Sequence, residues 1–176
     1  MLQRSITFII LSFVCISVAI AQNCNADNII PKPTSVVMGN RNSVFELNSE
    51  TKVVYKWDNK DVKPAIKELD RIAVDIFGKK MNKNTKTHGD NNIIFKYDGS
   101  LADEGYILEI RPENILISAK TGAGAFYAVQ TLKQIIPVQA YETPIDINKL
   151  TLPTMKISDS PKFGYRGFML DCSRHF

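Results

Sequence analysis

Apolar residues recur every three or four positions in some segments, which is typical of helices, and form short strand-like runs in others. This combination predicts an α+β domain. Apolar residues recur at helical spacing over residues 61–77 and 121–136, with Gly78 and Pro137 as stop signals. Runs rich in β-branched and aromatic residues, bounded by turn residues, predict strands. The predicted strands cover residues 35–38, 43–47, 52–57, 92–97, 105–110, 114–119 and 155–157.

These elements combine into a mixed sheet with two helices packed on one face. Arg111-Pro-Glu joins strands 105–110 and 114–119 as a hairpin. Residues 79–91 and 138–152 lack a regular pattern and are predicted to be loops. A further strand is expected from Tyr165 onward.

The two helices carry different local signals. Asp61 is the expected N-terminal cap of the first helix. The second helix opens with Gly122-Ala-Gly-Ala, which predicts close packing on the sheet rather than a phosphate-binding turn, because the third glycine of a dinucleotide motif is missing. The expected solvent side of the first helix consists of Lys67, Glu68, Asp70 and Arg71.

The first 21 residues have the pattern of a signal peptide. Arg4 precedes an apolar run over residues 6–20, and Ala19-Ile-Ala21 gives a small-x-small cleavage site before Gln22. A membrane anchor is the alternative, but the run is shorter than the roughly 20 apolar residues of a spanning helix. The sequence therefore predicts export to the periplasm or the cell exterior, without a stable membrane anchor.

Composition and charge add little beyond a soluble globular class. The formal net charge is +4, and the densest basic stretch, residues 79–86, has no interleaved aromatic residue. A solvated loop explains that stretch better than a nucleic-acid site. Cys24 and Cys172 remain after cleavage at Gln22, and no disulfide is expected between them.

Few residues offer catalytic or metal-binding chemistry. His88 and His175 are the two histidines, so a histidine-rich metal site is not expected, and no cofactor is predicted. Asp98, Asp103 and Glu104 cluster near glycine and serine, which is typical of a turn rather than of an acid–base pair.

The densest group of polar side chains follows an apolar run in residues 166–176, Arg-Gly-Phe-Met-Leu-Asp-Cys-Ser-Arg-His-Phe. Barrel enzymes present ligand-binding side chains in this way, at the carboxyl ends of strands. Buried charges beside a strand need either partners or a ligand. From the residues alone, an internal Asp–Arg salt bridge and a ligand site remain equally open for Arg166, Asp171, Arg174 and His175.

This terminal motif closely resembles the first barrel strand of the β-N-acetylhexosaminidases of glycoside hydrolase family 20. Residues 105–110, 115–119 and 122–137 are similar to the last part of the N-terminal domain of that family, and Ile30-Pro-Lys-Pro is similar to its start. After the signal peptide predicted over residues 1–21, the resemblance implies a non-catalytic α+β domain over 22–159 and the first strand of a truncated (β/α)8 barrel over 160–176.

The resemblance also implies an activity, hydrolysis of terminal N-acetylglucosamine or N-acetylgalactosamine from glycans with the substrate's own acetamido oxygen as nucleophile. Arg174 matches the arginine that binds the outer hydroxyls of the terminal sugar, and Asp171 and His175 would support it. The family's Asp–Glu pair belongs to a later barrel strand, so no catalytic residue is expected here, and Asp103-Glu104 is not that pair. The fragment alone is therefore expected to be inactive.

Two alternatives remain open from the sequence, a structural exported fragment from an incomplete gene and a binding module. Residues 22–159 could act as a stand-alone carbohydrate- or partner-binding α+β module without catalysis. The single Trp57 and the scattered tyrosines give this reading little support, because sugars stack on exposed flat rings.

Overall fold

A computed structural model gives the structure of residues 28–55, 62–84, 89–142 and 148–170. In these ranges, nine strands and three helices are found. The helices are α1 (Lys63–Phe77), α2 (Gly122–Ile135) and α3 (Gln139–Glu142). The strands are β1 (Ser35–Met38), β2 (Val44–Asn48), β3 (Lys52–Tyr55), β4 (Asn82–Asn84), β5 (Asn92–Tyr97), β6 (Tyr106–Ile110), β7 (Asn114–Ala119), β8 (Lys149–Pro153) and β9 (Met155–Asp159).

Seven of these strands form one mixed sheet in the order β1-β9-β6-β7-β5-β3-β4. β3 pairs in parallel with both β4 and β5, and β5 pairs in parallel with β7. The β6–β7 hairpin is antiparallel, and β6 continues antiparallel to β9 and β9 to β1. β2 and β8 form a separate antiparallel pair. The predicted mixed sheet is confirmed.

The core lies between the sheet and the helices. Alternate residues of β6 and β7 are buried because side chains alternate between the two faces of a strand. α2 packs on these two strands, and α1 packs against α2. A buried hydrogen bond of 2.5 Å joins the Tyr106 hydroxyl on β6 to the Thr131 hydroxyl on α2. The α+β class with helices on one face of the sheet is therefore confirmed.

α1 begins at Lys63 after Val62, with no side-chain cap, and Asp61, the predicted cap, lies outside the described residues. Two other local predictions are wrong, each for a tertiary reason. Asp70 is buried instead of solvated, because Lys83 of β4 donates to its carboxylate over 2.6 Å. The predicted loop over 79–91 contains β4, which pairs with β3 at the edge of the sheet.

The predicted loop over 138–152 is also wrong. It contains α3 and most of β8, in which Leu150 and Leu152 are buried. β8 alternates exposed and buried residues, a pattern that is too short to recognise without its partner β2. None of the helices in the described ranges combines the length and apolar character needed to cross a bilayer.

α2 approaches the sheet most closely at Gly124. A Cβ atom at this position would overlap the Gly105 carbonyl oxygen and would lie 3.2 Å from the Gly105 carbonyl carbon and 3.3 Å from the Ala119 Cβ. The obstacle is backbone, which cannot rotate away as a side chain can. The predicted close packing of the helix start is therefore confirmed, and the glycine sets the distance between α2 and the β6–β7 hairpin.

Glu68 connects the two long helices. Its carboxylate accepts hydrogen bonds from Arg71 at 2.7 and 3.0 Å and from Lys133 of α2 at 3.3 Å. The Arg71 hydrogen bond, aided by Lys133 and opposed by partial burial, lowers the pKa of Glu68 to about 2. The folded state therefore favours the ionised form of this carboxylate more than the unfolded chain does.

We expect Gly124→Ala to destabilise the chain by about 1–2 kcal/mol, because overpacking against backbone outweighs the gain in helix propensity. Urea denaturation measures the free energy of unfolding. Ala123→Ser, at the exposed neighbouring position of α2, is the matched control and should change it by less than about 0.5 kcal/mol. Equal stabilities of Gly124→Ala and the parent chain would contradict the close approach.

We expect Glu68→Gln to lower the free energy of unfolding by about 1 kcal/mol at pH 7. A folded-state pKa near 2, against 4.5 in the unfolded chain, makes this contribution complete above pH 4.5 and removes it as the pH falls toward 2. The difference between parent and variant should therefore shrink between pH 5 and pH 3. Glu46→Gln, which removes an exposed partner of Lys149, is the control and should show a smaller difference throughout.

Candidate functional site

Residues 160–170 leave the domain after β9 without regular secondary structure. The strand predicted from Tyr165 is therefore wrong for the described residues 165–170. A strand requires backbone hydrogen bonds to a neighbour, and no described strand pairs with this segment. Its apolar side chains are largely exposed, with Tyr165 at 90% and Phe168 and Met169 both at 89%.

One side chain of this segment binds the folded domain. The Nη2 atom of Arg166 donates to the Glu104 carboxylate at 2.8 Å and to the Tyr127 hydroxyl oxygen at 3.4 Å. Its Nη1 atom donates to the Phe163 carbonyl at 2.7 Å. The Tyr127 hydroxyl in turn donates to the other oxygen of Glu104 at 3.4 Å. We refer to Glu104, Tyr127 and Arg166 as the exit cluster.

The fold brings the first two members of the exit cluster together. Glu104 ends the turn before β6, which a hydrogen bond from the Gly105 amide to the Ala102 carbonyl closes. Tyr127 lies on α2, one turn after Gly124. Because Gly124 contacts the Gly105 backbone, the first turns of α2 lie directly against the start of β6. The close packing of helix and sheet therefore places the Tyr127 phenol beside the Glu104 carboxylate.

The start of α2 is fixed by a second set of contacts at the same turn. The Thr121 hydroxyl accepts from the Gly124 amide at 3.4 Å and donates to the Asp103 carbonyl oxygen. The Asp103 carboxylate pairs with Lys120 at 2.8 Å. These contacts connect Asp103, directly before Glu104, with Lys120 and Thr121, directly before α2. The turn at 101–104 is therefore held to α2 on both sides of Gly124.

The three carboxylates considered for acid–base chemistry each have a structural partner. Asp98 accepts from the Ser100 hydroxyl at 2.6 Å and from its amide at 3.0 Å, and these hydrogen bonds lower the pKa of Asp98. A general acid near neutral pH needs the opposite shift. Asp103 pairs with Lys120, and Glu104 pairs with Arg166. These contacts match the turn interpretation.

Arg166 has the contacts of an anchoring residue. The Glu104 carboxylate beside it raises the pKa of its guanidinium, which therefore keeps its charge. Its side chain is 44% exposed and that of Glu104 is 37% exposed, so water still reaches the pair. Because both Nη atoms of the planar guanidinium donate hydrogen bonds, the contacts restrict its orientation as well as its position.

The other predicted site residues, Asp171, Arg174 and His175, lie outside the described residues. The same is true of His88, Cys24 and Cys172. Within the ranges that are described, no group of three or more His, Cys, Asp or Glu side chains could hold a metal ion. The glycine-rich start of α2 has no room for a phosphate, because Gly122 and Gly124 are buried and Gly124 contacts the Gly105 backbone.

The sequence did not identify Glu104 and Tyr127 as partners of Arg166. They lie 62 and 39 residues before it, and no local spacing relates them. One usable signal was present, because a glycine in the turn before β6 and another in the first turn of α2 indicate a close backbone contact. Tyr127 follows that second glycine by a single helical turn, but its direction depends on the packed structure.

The chain is similar to known carbohydrate-active enzymes. A family model described as glycosyl hydrolase family 20, domain 2, matches residues 26–160. The β-hexosaminidase of Porphyromonas gingivalis is 32% identical over 152 residues, which cover 85% of this chain and 19% of that protein. The chain therefore spans about a fifth of the length of this relative.

Solved structures share the fold. The family 20 β-N-acetylhexosaminidase of Streptomyces coelicolor superimposes with a TM-score of 0.74 and 28% identity, over 86% of this chain and 30% of that one. The family 20 exo-β-N-acetylglucosaminidase of Vibrio harveyi, solved in complex with N-acetylglucosamine, gives a TM-score of 0.70 and 27% identity. That match covers 86% of this chain and 22% of the Vibrio chain.

We expect chymotrypsin to cleave the described residues first at Phe163, Tyr165 or Phe168, because these aromatic side chains are exposed in a segment without regular structure. Arg166→Ala should accelerate this cleavage about two- to fivefold by releasing the segment from the domain. Mass spectrometry of timed digests measures the rate. Arg111→Ala, which removes an exposed partner of Glu109, is the control. Equal cleavage rates for parent and Arg166→Ala would contradict the anchoring role.

Proposed function

The chain belongs to glycosyl hydrolase family 20, and from that premise we propose that it is the N-terminal portion of an exported β-N-acetylhexosaminidase. Such an enzyme would remove terminal N-acetylglucosamine or N-acetylgalactosamine from glycans. The observation that carries the proposal is the family match over residues 26–160, in a chain whose residues 166–176 hold the motif that contains Arg174. The similarity to β-hexosaminidases supports the same reaction class.

Residues 22–159 serve in this proposal as a supporting domain without catalytic chemistry. The contacts of its carboxylates agree with that role, because Asp98, Asp103 and Glu104 are all engaged in structural hydrogen bonds or ion pairs. A free carboxylate with a raised pKa would have favoured a catalytic role. The domain instead offers a rigid sheet, two long helices and one polar anchor for the segment that follows it.

Sugar binding is assigned to the motif of residues 166–176. In the proposal, Arg174 hydrogen-bonds the outer hydroxyls of the terminal sugar, and Asp171 and His175 hold its guanidinium in place. Several fixed donors on one planar group suit adjacent hydroxyl oxygens. The acetamido oxygen of the substrate attacks the anomeric carbon, while an Asp–Glu pair outside these 176 residues orients the acetamide and protonates the leaving oxygen.

The proposal also includes export of the enzyme. Residues 1–21 carry the basic start, the apolar run and the small-residue site of a cleaved signal peptide. An exported enzyme would meet glycans in the periplasm or outside the cell. Neither a cofactor nor a metal ion is needed, because the substrate supplies its own nucleophile.

The test is hydrolysis of nitrophenyl N-acetylglucosaminide by the full-length enzyme. We expect turnover by the full-length protein and none by the 176-residue chain. Arg174→Ala in the full-length protein should lower kcat/KM about 10- to 100-fold, the effect of losing hydrogen bonds from a charged donor. Arg111→Ala, in an exposed ion pair of the N-terminal domain, is the control and should leave kcat/KM unchanged. Turnover by the 176-residue chain, or an inactive full-length protein, would overturn the proposal.

A further inference from the structure

We propose that the exit cluster of Glu104, Tyr127 and Arg166 consists of positioning residues for sugar binding. Glu104 and Tyr127 hold Arg166 in place and so determine where the segment that carries Arg174 begins. This inference rests on the proposed function and adds to it a specific device that connects the N-terminal domain to the sugar site.

The first argument is the set of hydrogen bonds that holds the Arg166 guanidinium. Arg166 reaches Glu104 at 2.8 Å, Tyr127 at 3.4 Å and the Phe163 carbonyl at 2.7 Å. Tyr127 closes the ring with its own hydrogen bond to Glu104 at 3.4 Å. A single ion pair would leave the guanidinium free to rotate about the contact. Hydrogen bonds from both Nη atoms, two from Nη2 and one from Nη1, restrict its orientation as well as its position.

The second argument is that Arg166 supplies the attachment of this segment. Among residues 163–170, the hydrogen bonds that reach the domain come from the Arg166 side chain. The neighbouring apolar side chains are mostly exposed, from 65% at Phe163 to 90% at Tyr165. Arg166 therefore supplies the polar attachment of this segment to the domain.

The third argument is the position of the two partners of Arg166. Glu104 precedes Gly105, whose backbone contacts Gly124, and Tyr127 follows Gly124 by one helical turn. The same helix is joined to β6 by the buried Tyr106–Thr131 hydrogen bond. Both partners of Arg166 thus lie beside the close contact between α2 and the start of β6.

The fourth argument is proximity along the chain. Arg174 follows Arg166 by eight residues, so the chain between them spans at most about 29 Å when fully extended. A fixed position of Arg166 therefore limits where Arg174 can lie relative to the domain. The anchor acts through Arg174, and its loss should weaken sugar binding more than the chemical step.

The experiment is steady-state kinetics of the full-length enzyme carrying Glu104→Gln, Tyr127→Phe or Arg166→Lys. We expect the KM for nitrophenyl N-acetylglucosaminide to rise about three- to tenfold, with kcat changed less than about twofold. The inhibition constant of N-acetylglucosamine should rise by the same factor as KM. Glu46→Gln is the matched control, because it removes an exposed ion pair of the same length, 2.8 Å to Lys149, that joins β2 to β8 and involves no residue of the exit cluster.

A charge exchange separates positioning from general destabilisation. Glu104→Arg and Arg166→Glu should each raise KM, whereas the double variant should recover most of the parent value. If the parent enzyme is active but the KM of all single variants is unchanged, or if Glu46→Gln raises KM equally, the inference is overturned and the proposed function stands. A parent enzyme without activity would overturn both.

Discussion

The contact between the Gly124 position and the Gly105 backbone is the constraint on which the described structure depends. The missing side chain lets the first turns of α2 lie directly on the β6–β7 hairpin, with the Ala119 methyl group beside them. This short distance between α2 and the sheet is needed for core packing. It is also needed for the Tyr106–Thr131 hydrogen bond and for the Thr121 contacts. A larger residue would move α2 outward and separate the Tyr127 phenol from the Glu104 carboxylate.

The sequence predicted the central elements well, because they carry their own pattern. β5, β6 and β7 consist of dense β-branched and aromatic runs, and α2 has a Thr cap with a proline stop. β4 and β8 were missed, since a three-residue edge strand of Asn-Lys-Asn and a half-buried partner of β2 have no recognisable period alone. Their existence depends on neighbours that are distant in sequence, and the same holds for the partners of Arg166.

Ion pairs act at the margins of this domain and hydrophobic packing acts at its centre. Lys83 reaches the buried Asp70 over 2.6 Å and so ties the edge strand β4 to α1, although the second oxygen of that carboxylate has no hydrogen-bond partner. Such a pair secures the placement of an edge strand more than it adds net stability, because burying the charge carries its own cost. Lys133 and Glu68 connect α1 to α2 in the same manner. Arg166 and Glu104 extend this use of charge to the end of the described chain.

A polar anchor suits the junction between the two parts of the proposed enzyme better than an apolar one. Apolar contact is proportional to buried area and is nearly indifferent to rotation, so it would hold residues 163–170 near the domain without fixing their direction. A guanidinium bonded to a carboxylate and a phenol is directional, so it restricts the orientation of the segment that carries it. The segment would then leave the domain from a defined point. In this view, the N-terminal domain contributes to sugar binding by geometry alone, through a residue eight positions away from the one that would touch the sugar.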